Sequence, residues 1–407
     1  MNILYLSSVI PATSGTGGKR ATYNHLVSLA QAQAAMHLVL LSTDGSSPVA
    51  DDVTRMWPDT VVFPREIGRI NDGFAAKARA LGNFLFSPWP RPYSVSRSKA
   101  AARHVAQHLA RQRPDVILVE HLMAMAMLED VVTDVPIIYI SHNIEQDVQF
   151  DQMKHTSFWS PYRLLFLIEY FKFVALEKRL INRSAGVICI SSGDVPRTRM
   201  LQSAGAVDCW PELLAPKERR WTNPASKTLL FVGGANYFPN HDAIDWLVNV
   251  LMPAITAIDQ TVRLVIVGTA AGQVEVRGDG RNVEFKGFVS DAALTAFHYS
   301  CDLFISPVRL GSGIKIKMLD AISYGMPIIA ADESMRGIEF LDFVPRLDFA
   351  SVAASATAIC ALLGDPCKLG ILGHQVYNAG QGAVLARPDL YTVVRRLGGA
   401  ARAGAMP

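Results

Sequence analysis

Gly311, Ser312 and Gly313, then Lys315, Lys317 and Asp320, stand where an apolar run at Leu303–Ser306 gives way to a helical pattern at Lys315–Tyr324. Glycines just before a helix expose backbone amides, and those amides together with the helix dipole can hold a diphosphate. Lys315, Lys317 and the upstream Arg309 add mobile positive charge. Asp320, about one and a half turns into the helix, can accept two hydroxyl hydrogen bonds from a ribose. On a helix Lys315 and Lys317 point about 200° apart, so the spacing predicts that only one of them faces the ligand. The plain alternative is an amphipathic helix with a solvated Lys-Lys-Asp face.

A second cluster, His142-Asn143-Ile144-Glu145, follows the apolar run Ile137–Ile140. It brings a titratable ring, an amide and a carboxylate to one strand end. The His142 ring can hydrogen-bond a ligand, with Asn143 or Glu145 fixing its orientation. Two glycine pairs also follow strands: Gly17-Gly18 before a helix, and Gly233-Gly234 leading to Pro239-Asn240. Both permit close backbone approach by a ligand. Neither has the dinucleotide or Walker spacing. Gly268 and Gly287 end two more strands and are weaker signals, since glycines at strand ends are common turn residues.

Short apolar runs alternating with helical stretches must position these residues, a pattern that specifies parallel sheets joined by crossover helices. Strands are predicted at Asn2–Ser7, His37–Leu41, Val116–Val119, Ile137–Ile140 and Gly186–Ile190, with helices at Arg20–Gln33, Lys99–Arg111 and Pro161–Arg183. Prolines and irregular charge interrupt the pattern near residues 211–226, read as a linker. A second series follows, with strands Thr228–Val232, Arg263–Val267, Val283–Phe285, Leu303–Ser306 and Pro327–Ala331. Its helices are Ala243–Ile258, Ala292–Tyr299, Lys315–Tyr324 and Ser351–Leu363. The expectation is two doubly wound Rossmann-like α/β domains facing across a cleft. The first spans residues 1–210 and the second 227–382. Residues 383–407 return toward the first, with a frayed end from Arg395.

Composition narrows the classes. The 407 residues are 50% hydrophobic and carry a net charge of +3 without long runs, which excludes a disordered chain and argues against a nucleic-acid partner. Five cysteines without a C-x-x-C pair argue against a disulfide framework or structural zinc and fit a reducing compartment. No basic leader precedes the first apolar run, and no uninterrupted apolar window reaches membrane-spanning length, so a cytoplasmic protein is expected.

The segment from Gly311 to Pro327 resembles the nucleotide-sugar signature of the family 4 retaining glycosyltransferases, which have the GT-B fold. It is closest in type to the subgroup reading roughly G-x-G-x-R-x-K-x-L-E-A-x-x-x-G-x-P. His142-Asn143-Ile144-Glu145 is similar to that subgroup's H-N-x-E, Gly233 through Asn240 to its G-x-x-x-x-x-P-N, and Gly17-Gly18 to its N-terminal glycine loop. Two departures stand out. The family's glutamates, eight positions apart, fall on Ser312 and Asp320, and its usual Arg and Lys early in the second domain are missing.

The resemblance implies transfer of a sugar from a nucleotide diphosphate sugar to a hydroxyl of a glycan or lipid-linked acceptor, with retention, in polysaccharide or glycolipid assembly. No cofactor or metal is implied, and no D-x-D triplet ends a strand. Lys317 matches the family's lysine and is favoured over Lys315 for the diphosphate. The aromatic and basic stretch Phe158–Leu180 suits either peripheral membrane contact or an ordinary buried helix. Two other readings stay open: a catalytically silent nucleotide-binding scaffold, suggested by Ser312 and the missing cations, and a sugar-nucleotide epimerase of the same architecture.

Overall fold

The computed structural model describes residues 1–13, 17–42, 49, 51–65, 82, 84–156, 158–203, 205–218, 220–278, 280–311 and 313–404. Ser312 therefore lies outside the described residues, as do the three residues before Gly17. The chain divides into two compact units: Met1–Pro211 with Pro388–Pro407, and Glu212–Arg387.

In the first unit seven strands form one sheet: β1 (Asn2–Ser7), β2 (Ala35–Ser42), β3 (Val61–Pro64), β4 (Val116–Glu120), β5 (Ile137–Ser141), β6 (Gly186–Cys189) and β7 (Ala206–Cys209). Their order is β3-β2-β1-β4-β5-β6-β7, and every pairing is parallel. The central runs β4, β5 and β6 are buried along their whole lengths, because crossover helices cover both faces of a parallel sheet. The reversal of strand order at β1 and β4 places the ends of these two strands at a topological switch point.

The second unit has β8 (Thr228–Val232), β9 (Arg263–Val267), β10 (Val283–Phe285), β11 (Leu303–Ser306) and β12 (Ile328–Ala330), in the order β10-β9-β8-β11-β12, again all parallel. Both units are thus doubly wound sheets of the expected class.

The elements differ from expectation in several places. The edge strands β3 and β7 are additional, as are helices Glu145–His155 and Pro366–Ala386. The helix expected over Ala243–Ile258 starts earlier, at Phe238, and is interrupted by a π turn at Leu247–Leu251 before Met252–Ile258. Pro253 explains the break, since its ring has no N–H for the helix ladder and crowds the carbonyl one turn back. The stretch expected as a linker is anchored on the second unit: Lys217 and Trp221 donate backbone N–H bonds to Ser323 and Tyr324, and the Trp221 indole is buried. Of the stretch expected to fray, residues 395–404 are helical, continuing helix Leu390–Gly404, in which Leu390, Val393, Val394 and Leu397 form a buried i, i+3, i+4, i+7 stripe, and residues 405–407 lie outside the described residues.

Candidate functional site

In the first unit the strand ends around the switch point converge on one carboxylate. Glu120, the last residue of β4, is fully buried. Its Oε1 lies 2.6 Å from His142 Nε2 and 2.7 Å from His25 Nδ1, and its Oε2 accepts from the Tyr5 hydroxyl. Tyr5 comes from β1, His142 follows β5, and His25 comes from the helix Gly17–Gln31. The ring of His121 is 3.9 Å from that of His142, and its Nε2 lies 3.2 Å from Thr22 Oγ1. His121 also holds a φ of 67°, a left-handed backbone that costs a non-glycine residue energy and tends to persist where function requires it.

The electrostatics follow from burial. Burial, reinforced by His121 and His25, holds the His142 ring well below the ordinary histidine range, so it is neutral. Burial pushes His121 down to about 3, with His25 and Arg65 adding to the shift. A carboxylate only accepts, so the His142 proton sits on Nε2 and the lone pair is on Nδ1. No described residue donates a hydrogen bond to that Nδ1. His142 can therefore act as a neutral acceptor toward a hydroxyl.

The nitrogen and carboxylate atoms of His25, Glu120 and His142 all lie within 4.8 Å of one another. Zinc ligands about 2.1 Å from a tetrahedral ion stand about 3.4 Å apart. Contacts of 2.6 and 2.7 Å are instead those of charge-assisted hydrogen bonds.

The ring of His142 is thus held by Glu120 and not by Asn143 or Glu145. Those two serve the next helix: both Glu177 oxygens accept from its first amides, Glu145 N at 2.9 Å and Gln146 N at 3.0 Å. Burial raises Glu145 to about 7, against an opposing hydrogen bond from Asn143. Burial also raises Glu177 to about 8, against the bonds from Gln146 and Glu145. Gly17 opens its helix, and a Cβ on Gly18 would stand 3.6 Å from the His121 ring.

In the second unit the loops after β8, β9 and β10 are stitched together. Thr269 Oγ1 donates to Gly233 O at 2.7 Å, Asn240 Nδ2 donates to Gly234 O at 3.0 Å, and Gly268 N donates to Gly287 O at 2.7 Å. Gly268 needs to be glycine on two grounds: its φ is 95°, and a Cβ there would meet the Gly233 carbonyl carbon at 3.0 Å.

The loop after β11 brings the cations to the same end of the sheet. Gly311 and Gly313 both have positive φ, at 84° and 76°. Lys315 Nζ donates to their carbonyls at 2.8 and 3.0 Å and lies 3.8 Å from Glu333. Lys317 Nζ donates to Asn240 Oδ1 and sits 4.6 Å from the centre of the Phe231 ring. Lys317 keeps some exposed surface, yet its ammonium lies deep. Burial, then the charge of Lys315, pushes it down to about 7. No acid among the described residues pairs with it.

Lys315 is the N-cap of helix Ile316–Tyr324 and not part of it, so the expected 200° separation does not govern the two lysines. Arg309 is engaged by Asp242 through two bonds of 2.9 and 3.0 Å, and Asp320 is buried in the second turn of the helix.

The sequence signals missed Glu120, His25 and Tyr5. The one available clue was the acid closing an apolar run immediately before His121.

No curated protein matches the sequence. Residues 226–365 match the family model for glycosyl transferases group 1. Among solved structures, sucrose-phosphate synthase from Thermosynechococcus elongatus is 16% identical with a TM-score of 0.66, covering 99% of this chain and 98% of that one. HepE from Anabaena, in complex with UDP, is 15% identical with a TM-score of 0.62 over 99% and 100% of the two chains. S. aureus TarM, in complex with fondaparinux, alpha-GlcNAc-glycerol and UDP, is 9% identical with a TM-score of 0.61 over 98% and 99%. Residues 226–365 therefore form a glycosyl transferases group 1 domain, within a chain that has the two-unit GT-B fold of these glycosyltransferase structures.

Proposed function

We propose that this glycosyltransferase moves a sugar from a nucleotide diphosphate sugar to a hydroxyl of a glycan or lipid-linked acceptor, with retention of configuration, in polysaccharide or glycolipid assembly. One observation carries the reading: Lys317, desolvated at the carboxyl end of a parallel sheet, has no acid partner among the described residues. A cation so placed calls for an anionic ligand. The relatives add support, since HepE is solved with UDP and with UDP-glucose, and TarM with UDP and saccharides.

In this reading the second unit takes the nucleotide. Gly233, Gly234, Gly268, Gly287, Gly311 and Gly313 allow backbone approach, and Asp320 serves the ribose. The difficult step is departure of the diphosphate, as the bond from the anomeric carbon to its oxygen breaks. Lys317, with Lys315 beside it, stabilises the charge that develops. The acceptor oxygen then bonds to the anomeric carbon on the same face, and its proton passes to the departing diphosphate. No histidine base is needed for that route. His142 instead accepts a hydrogen bond from a sugar hydroxyl through Nδ1. No metal takes part in this scheme, and the five cysteines, which form no disulfide, suit a cytoplasmic setting.

A second reading rests on Arg309 and Lys315. Asp242 already holds one, and two carbonyls hold the other, as in a nucleotide-binding scaffold without turnover. Purified protein incubated with a panel of nucleotide sugars separates the two. Transfer to an acceptor, or slow donor hydrolysis, supports the enzyme. Nucleotide binding without either supports the scaffold, and interconversion of the donor sugar would identify an epimerase.

A further inference from the structure

Lys315 directs its ammonium back into the loop that precedes it. Its Nζ donates to Gly311 O at 2.8 Å and to Gly313 O at 3.0 Å, and Oε1 of Glu333 lies 3.8 Å away. The Lys315 side chain is 9% exposed and that of Glu333 33%, so solvent screens this pair less than a pair at the open surface. Lys317, two residues on, donates instead to the Asn240 side chain. The chain has no cis peptide, and a planar trans peptide points its C=O and the next N–H in opposite directions. Drawing Gly313 O onto the ammonium therefore turns the Ile314 N–H away from it. No described residue accepts from that N–H.

Glu333 is placed by the neighbouring strand. It belongs to the short 3-10 turn Asp332–Met335 that follows β12, and β12 pairs with β11. Ser334 in that turn is fully buried, and its Oγ lies 2.9 Å from Ser306 O and from Val308 O. Ala331 N donates to Ser306 O at 2.8 Å. The turn is thereby fastened to the end of β11, a few residues before Gly311. Arg336 Nη1 lies 3.4 Å from the same Glu333 oxygen. A carboxylate beside an anion site opposes the anion by its charge alone. Acting through Lys315, it has an effect of the opposite sign.

We propose that Lys315 and Glu333 are positioning residues: the carboxylate keeps the ammonium on the carbonyls of Gly311 and Gly313, and this latch keeps the Ile314 amide turned toward the diphosphate. Lys317 is then the cation that faces the ligand directly. The inference rests on the reading of the second unit as a nucleoside diphosphate site.

Calorimetric titration of the full chain with UDP, GDP, ADP and dTDP tests both. If none of them binds, the nucleotide reading fails and the latch fails with it. Where one binds, its affinity for Glu333→Gln decides. The isosteric amide removes a negative charge, so a carboxylate acting by charge alone predicts tighter binding. A Lys315 that touches the diphosphate itself predicts the same. The latch predicts weaker binding, by about threefold, the scale of one partly screened ion pair. In a Lys315→Met background the same substitution should no longer weaken binding, since Glu333 acts through that lysine. Affinity unchanged or raised in Glu333→Gln overturns the latch and leaves the nucleotide reading standing. A loss that persists in the Lys315→Met background also overturns it, because the effect then belongs to Arg336. The thermal midpoint of Glu333→Gln should match the parent, as the side chain is one-third exposed. If that variant is unstable, Glu333→Asp, which draws the charge back by one methylene, must weaken binding, and unchanged affinity overturns the proposal equally.

Discussion

His142 Nε2 lies 2.6 Å from Oε1 of Glu120, a carboxylate with no exposed surface. That one bond fixes the ring's tautomer and leaves Nδ1 as the atom able to accept. Glu120 also receives His25 and Tyr5, so its position is determined from three sides.

Replacing Glu120 with Gln should lower turnover more than it changes the donor KM. The amide can offer its N–H where His142 expects an acceptor, which turns the ring or moves its proton. Glu120→Ala should also destabilise the first unit, because the buried His142, His25 and Tyr5 donors lose their acceptor, at about 1–3 kcal/mol for each group left unsatisfied. His142→Ala should lower turnover strongly while leaving free-nucleotide affinity within about twofold, a difference of less than 0.5 kcal/mol. Steady-state kinetics and calorimetric nucleotide titration would check the first and third, and denaturant unfolding the second; wild-type turnover in His142→Ala would remove the histidine from the mechanism.

Lys317 predicts a proton uptake. Its folded value near 7 lies below the usual 10.5, so the unfolded chain binds more protons between those pH values. Stability contributed at this position is therefore present above the unfolded value and lost as pH falls through about 7. A bound diphosphate favours the charged form and reverses the shift. Nucleoside diphosphate binding at pH 8 should accordingly take up a proton, seen by calorimetry in buffers of different ionisation enthalpy. Lys317→Met should abolish the uptake, and a parent protein showing none would refute the assignment.

Asp320→Ala should weaken nucleotide binding by roughly tenfold or more, because a charge-assisted hydrogen bond contributes about 1.5–3 kcal/mol. The helix must be shown intact by circular dichroism, since Asp320 is buried. Unchanged affinity in the folded variant would withdraw the ribose contact.

Chelation should leave activity unchanged. His25, Glu120 and His142 are at hydrogen-bond spacing, and no transfer step runs through an ion. Loss of turnover in EDTA, restored by a stoichiometric divalent metal, would contradict this.

Legibility in the sequence tracked burial. The strands of the second unit stood out as apolar runs, and their ends lie at the residues where the runs stop. β3 and β7 did not, because each is a four-residue edge strand only partly buried. The glycine and lysine signals after β11 lie within one loop and could be read locally. Glu120 could not, since its partners Tyr5, His25 and His142 are brought to it by the adjacency β1-β4-β5, which a linear chain does not display. Lys315 was misplaced by one residue, enough to change a helical face into a cap.

Helix Leu390–Gly404 packs on the first unit, beside helix Gly17–Gln31 and strands β5 and β6, although the whole second unit intervenes in the chain. Synthesis therefore delivers the pieces out of spatial order. When Pro211 leaves the ribosome, Gly186 and its neighbours still lack the side chain of Leu397, whose Cβ lies 3.2 Å from where a Cβ on Gly186 would be. Glu212–Arg387 emerges without interruption and can fold first, so the unit begun earliest is the one closed last.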